Sequence, residues 1–159
     1  MNDAAQRIAP AAIRKTIEVK APIERAFRVF AVRMGDWWHK EHSINRATKQ
    51  TDVIIEPRAG GRWYEVGEDG SEKDWGRVIA YEPPGRLVLA WQLTREFAYD
   101  PQFETTVEVL FEERDGMTIV AFEHRDLERM GAGAAEAMEG MDGGWGMLLD
   151  LYRQAAQRA

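Results

Sequence analysis

The sequence predicts an α+β chain in which a curved antiparallel sheet of about seven strands wraps round one long C-terminal helix, with two short helices after the first strand. Three observations carry this expectation. From about residue 52 to residue 125 apolar residues recur at a period of two, broken at short intervals by turn residues. Met138, Met141, Trp145, Leu148 and Tyr152 then recur at steps of three and four, the stripe of an amphipathic helix. Ahead of the strand series, helical spacing is confined to a short stretch, 22–38.

Residues 1–11 read as a disordered tail, and 12–159 as one domain. Ile13–Val19 alternates as a half-buried strand does, with Lys15 as the one break on its apolar side. Ala21-Pro22 ends it, and Pro22 suits the first position of a helix. Over 22–33, Ile23, Ala26, Phe27, Phe30 and Ala31 share one face; a second helical turn follows at 34–38, then an irregular stretch to about Gln50. Strands are expected near 52–57, 61–67, 74–82, 86–93, 103–113 and 117–125. They are punctuated by Pro57–Gly61, Gly67–Gly70, Pro83-Pro84-Gly85 and the two-residue hairpin signal Asp115-Gly116. Consecutive strands joined by such short turns must pair antiparallel, and only the last helix can cover their apolar face. Gly143-Gly144 inside that helix leaves two readings: the helix proper begins there, or the glycines admit a close approach of sheet or ligand.

Composition narrows the function. The formal net charge is −6, from 27 acidic and 21 basic residues, which argues against sequence-independent nucleic-acid binding. Cysteine is absent, so disulfides, thiolate catalysis and sulfur-ligated metal are excluded. No apolar run reaches the roughly 18 residues that span a bilayer, so no membrane insertion is expected. Met1–Pro10 has no apolar stretch behind its single Arg, so no secretory leader is read and a cytoplasmic location is expected. Tryptophan is the outlier, six in 159 residues.

The run Ile17-Glu18-Val19-Lys20-Ala21-Pro22 through Ala26-Phe27 is followed by Gly60-Gly61-Arg62-Trp63, and then by Gly76-Arg77-Val78 leading to Glu82-Pro83-Pro84. Leu87-Val88-Leu89-Ala90-Trp91 and Gly144-Trp145 complete the series. In this order and spacing the motifs resemble the AHSA1-type family (activator of Hsp90 ATPase homologue 1-like) of the START-like, Bet v 1-like (SRPBCC) superfamily, over about residues 12–156. The resemblance implies the helix-grip fold with an internal cavity, and functions from lipid or hormone binding to polyketide cyclisation. Eukaryotic Hsp90 activators carry a separate N-terminal domain that engages the chaperone. This chain of 159 residues has no room for it, which leaves Hsp90 interaction doubtful.

By alternation Trp63, Val78, Leu89, Trp91, Val107, Val109, Val120 and Phe122 face the helix, which answers with Met138, Met141, Trp145 and Leu148; Trp37 and Trp38 suit a lid or cavity mouth. Ligand sites are concave and mainly apolar, and this set fits one, although for any one member core packing is the better explanation. Two inward polar residues are candidates for acid–base chemistry. Glu65 shares a face with Trp63 unless a bulge or slip turns it to solvent, and His124 lies at a strand end as either a base or a satisfied structural group. Glu56 sits near a strand end as a weaker inward carboxylate. His39, Glu41 and His42 could meet on a turn but lack a third clear ligand, so no metal is expected; no cofactor motif is present, and Ser43 and Ser71 lie outside any nucleophile motif. The charged run Arg125–Arg129 reads as a solvated loop. The expectation is therefore a non-enzymatic domain holding a small hydrophobic ligand (aromatic, acyl or lipid-like). The alternatives are a polyketide cyclase- or dehydratase-like enzyme using Glu65 or His124, and an Hsp90-type chaperone cofactor. A homodimer through the outer sheet face stays open.

Overall fold

The structure, a computed structural model, describes residues 12–159; the predicted tail 1–11 lies outside the described residues. Strand β1 (Ile13–Val19) leads to helices α1 (Ile23–Ala31) and α2 (Met34–Trp37). Six strands follow: β2 (Gln50–Ile55), β3 (Arg62–Gly67), β4 (Glu72–Glu82), β5 (Arg86–Trp91), β6 (Thr105–Arg114) and β7 (Met117–Arg125). A 3₁₀ turn (Leu127–Met130) then precedes helix α3 (Ala134–Arg158). All strands form one seven-stranded antiparallel sheet in the order β1-β7-β6-β5-β4-β3-β2, and α3 fills its concave face: the helix-grip fold. Among the described residues no helix is long and apolar enough to cross a membrane.

The strands follow the period-two pattern closely. Val107, Val109 and Phe111 on β6 and Val120, Phe122 and His124 on β7 point inward, while Glu108, Glu123 and Arg125 form an ion-paired ladder on the convex face. Lys15 breaks the pattern of β1 for a reason visible only in three dimensions: its amine reaches Asp142 on α3 at 3.2 Å. The chain ends are tied by α1, whose Phe30 packs edge-on against Tyr152 of α3, and the Tyr152 hydroxyl donates to the Ala26 carbonyl at 2.7 Å.

Curvature comes from three places where one residue of a strand is skipped in the pairing. Asp52 pairs with Val66 and Gln50 with Gly67, which leaves out Thr51; Trp63 pairs with Gly76 and Tyr64 with Asp74, which leaves out Trp75; Val78 and Ala80 pair with Leu89 and Val88, which leaves out Ile79. Such bulges bend a strand and sharpen its twist. The bulge at Trp75 also reverses the facing of β4, so that Trp75 enters the core next to Gly76. Gly76 is required there, because a Cβ at that position would lie 1.8 Å from the Ala90 carbonyl oxygen.

Helix α3 runs without a break through Gly143-Gly144, which removes one of the two readings of that pair, a helix beginning there. One expectation is corrected. Arg125–Arg129 is no solvated loop: Arg125 ends β7, and in the 3₁₀ turn Leu127 is buried against the core.

These packing differences give a paired prediction. Gly76→Ala must push two bonded strands apart and should cost at least about 1–3 kcal/mol, the range for overpacking. Gly143→Ala meets nothing within 4 Å and should stabilise α3 by up to about 1 kcal/mol. Urea midpoints of the two variants should move in opposite directions.

Candidate functional site

Between α3 and the sheet, closed by the segment after α2 and the Leu93–Tyr99 hairpin, lies a pocket of about 780 Å³. Its inner walls are four indoles, Trp38, Trp75, Trp91 and Trp145, with Leu93, Met141 and Leu148. The indoles touch one another: ring centroids are 4.9 Å apart for Trp38–Trp75, 5.8 Å for Trp38–Trp145 and 5.8 Å for Trp91–Trp145. Gly140 and Gly144 supply the α3 side, and a Cβ added at either would meet nothing within 4 Å. Gly144 and Gly140 thus leave open space beside the helix, whereas Gly143 does not line the pocket.

The mouth is built from irregular chain. On one side runs the segment after α2, bringing Glu41, His42, Ser43, Ile44 and Arg46; on another, the hairpin tip between Leu93 and Tyr99 brings Thr94, Arg95 and Phe97. Phe97 has a left-handed backbone (φ 61°), unusual for an aromatic residue, and is 52% exposed.

Of the residues the sequence nominated for the cavity, Trp38, Trp91, Met141, Trp145 and Leu148 line this pocket. Trp37, Trp63, Val78, Leu89, Val107, Val109, Val120 and Phe122 lie in the packed core beside it, and Met138 is half-buried against that core. On α3 the pocket is lined from the N-terminal half to the middle, Glu136 to Leu148. The mouth residues and Trp75 escaped the sequence reading. Loops have no period, and the bulge that turns Trp75 inward has no sequence signature beyond the adjacent Gly76.

Glu65 and His124 are both fully buried. The bulge considered in the sequence does exist, but on β4 and not on β3, so Glu65 keeps its inward facing. Its carboxylate accepts from the Ile44 N–H at 2.8 Å, from the Trp75 indole N–H at 2.8 Å and from the Ser43 hydroxyl. It therefore ties a mouth segment and a wall indole to the sheet. His124 accepts the Trp145 indole N–H on Nδ1 at 3.1 Å, so its proton sits on Nε2, which donates to Thr105 Oγ1 at 2.8 Å. Burial drives this imidazole down to about 3, and it stays neutral at ordinary pH. Trp38 donates to the His42 carbonyl and Trp91 to the Leu93 carbonyl, so every wall indole has its N–H engaged. Glu56, by contrast, holds the backbone N–H of Arg62 and pairs with Arg58 away from the pocket. The rings of His39 and His42 lie 5.3 Å apart, and among the described residues no three His, Asp or Glu side chains converge as a metal site.

Residues 20–156 match the family of activator of Hsp90 ATPase homolog 1-like proteins. The chain belongs to this AHSA1 family. Among solved structures it is similar to the anthrahydroquino-gamma-pyrone synthase Txn09 complexed with SUM, at 30% identity over 89% of this chain and 97% of that one, with a TM-score of 0.62. It is also similar to the self-sacrificing resistance protein CalC from Micromonospora echinospora (29% identity, 92% and 94% coverage, TM-score 0.66). The Aha1 dimer from Colwellia psychrerythraea, at 16% identity, 93% and 97% coverage and a TM-score of 0.66, shares the fold. No curated protein matches the chain.

In this AHSA1-family chain the buried histidine makes stability pH-dependent. The unfolded chain binds a proton near pH 6.5 and the folded chain only near 3, so stability falls as pH drops through that window. The slope from this group is about 1.4 kcal/mol per pH unit. Between pH 6.5 and 5 the wild type should lose about 2 kcal/mol through His124 alone, with His42, also held low by burial, adding in the same direction. In His124→Gln the loss measured by urea titration should shrink by that amount.

Proposed function

We propose that the chain is a binding domain for a small hydrophobic molecule seated in the indole-walled pocket. One observation carries this reading: the two buried groups that could serve as acid or base, Glu65 and His124, are committed to holding wall indoles. The volume, about 780 Å³, lies in the range of small-molecule sites, and such sites are mainly apolar. Rigid aromatic walls favour flat, aromatic occupants by stacking, and Met141 adapts the fit.

A second reading, a cyclase- or dehydratase-like enzyme, draws support from the 30% identity to the anthrahydroquino-gamma-pyrone synthase. It requires Glu65 or His124 to meet a substrate, and each is engaged behind the wall. We place binding first on that ground.

N-Phenyl-1-naphthylamine, a neutral apolar fluorophore, should bind saturably with one site per chain. Gly144→Leu places a side chain in the open space beside the helix and should abolish uptake, at unchanged or raised thermal midpoint. Absence of saturation in the wild type, or uptake indifferent to Gly144→Leu, would remove the pocket from consideration.

A further inference from the structure

The pocket is graded in polarity. In its depth every wall N–H is already bonded within the protein, by His42, Glu65, Leu93 and His124, so the inner end offers a ligand neither donor nor acceptor from its indoles. Charge is confined to the mouth, where Arg46, Arg95, Glu41 and Glu136 stand. A buried polar group without a partner is costly, so an occupant must keep its inner end apolar and carry any ionised group at the mouth.

The sign of that group follows from how the four charges are compensated. Glu136 sits in the first turn of α3, whose free backbone N–H groups favour an anion. Glu41 is exposed and, with the Lys40 amine taken up by the Gly35 and Thr51 carbonyls, forms no ion pair among the described residues. The guanidiniums lack the helix-end compensation that Glu136 has. Among the described residues Arg46 forms no ion pair, and Arg95 has only the exposed Glu96 at 3.5 Å, a contact of little strength. Arg95 also lies against Gly133, where a Cβ would fall 2.4 Å from its Nη1, at the end of α3 least favourable to a cation. Beside it Phe97 offers an exposed ring at the mouth.

Resting on the binding reading above, we propose that the occupant is an amphiphilic aromatic acid: its ring system lies against the indoles, and its carboxylate, sulfonate or acidic phenol emerges at Arg46 and Arg95. Guanidinium forks match such oxyanions in geometry as well as charge.

Two fluorophores that differ by one acidic group test this. 8-Anilinonaphthalene-1-sulfonate carries a sulfonate on the skeleton of N-phenyl-1-naphthylamine. The sulfonate should bind about five- to tenfold more tightly to the wild type, and the advantage should fall as salt is raised. In the double variant Arg46→Gln, Arg95→Gln the advantage should vanish while the neutral probe keeps its affinity. Both residues are exposed, and an unchanged circular dichroism melt would show the fold intact. Equal binding of the two probes, or sulfonate binding indifferent to the double variant, overturns the acidic end group and leaves the hydrophobic pocket standing. Saturation by neither probe overturns both.

Discussion

An indole can be buried cheaply only if its N–H finds an acceptor, and this constraint organises the interior. Five of the six tryptophans meet it: Trp37, Trp38 and Trp91 through backbone carbonyls, Trp75 through Glu65, and Trp145 through His124. Among the described residues Trp63 alone of the six keeps a buried N–H without a partner. The buried carboxylate and imidazole of the core are thereby explained without invoking chemistry. Glu65 is an acceptor where no backbone carbonyl reaches Trp75, and His124 serves Trp145 in the same way, itself satisfied by Thr105. Removing either would leave an indole N–H unsatisfied at a cost of about 1–3 kcal/mol, beyond any loss of packing.

The same constraint links the sheet to the pocket. The bulge on β4 turns Trp75 inward onto Glu65, and Glu65 in turn fastens Ser43 and Ile44, so the bend that curves the sheet also positions one side of the mouth. The other side, the hairpin tip from Leu93 to Tyr99, is held by backbone bonds at Thr94 and by the positive φ of Phe97. The result is an aromatic floor beneath a mouth of loop residues.

Much of this fold was legible because period two survives wherever a strand is unbroken. The runs on β6 and β7, the hairpin at Asp115-Gly116 and the stripe on α3 were all read from spacing. Strand ends moved by about two residues because a period says nothing about where pairing stops. The candidate site was legible only in part. Facing tells which side chains point inward, yet not how far the covering helix lies above each of them; Val107, Val109 and Phe122 are inward and meet α3 or its neighbours, whereas Trp91 and Leu148 are inward and meet open space. Glu65 could not be resolved from its own strand, because the deciding irregularity sits on the neighbouring one. The residues from Glu41 to Arg46 and from Thr94 to Phe97 have no period at all, so their convergence at one mouth is a property of tertiary structure alone.

How far the chain stands from catalysis can be judged by what a proton transfer would demand. For Glu65 to act as a base, it would have to exchange Trp75, Ile44 and Ser43 for a substrate, unfastening the wall that shapes the pocket. For His124 to act, Trp145 would have to surrender its acceptor and swing aside, and the imidazole would still resist protonation until about pH 3. Each step removes a hydrogen bond from a buried donor at the moment the substrate needs a fixed site, which is the reverse of preorganisation. Here the polar groups serve the walls, which is the arrangement that the proposed binding reading requires.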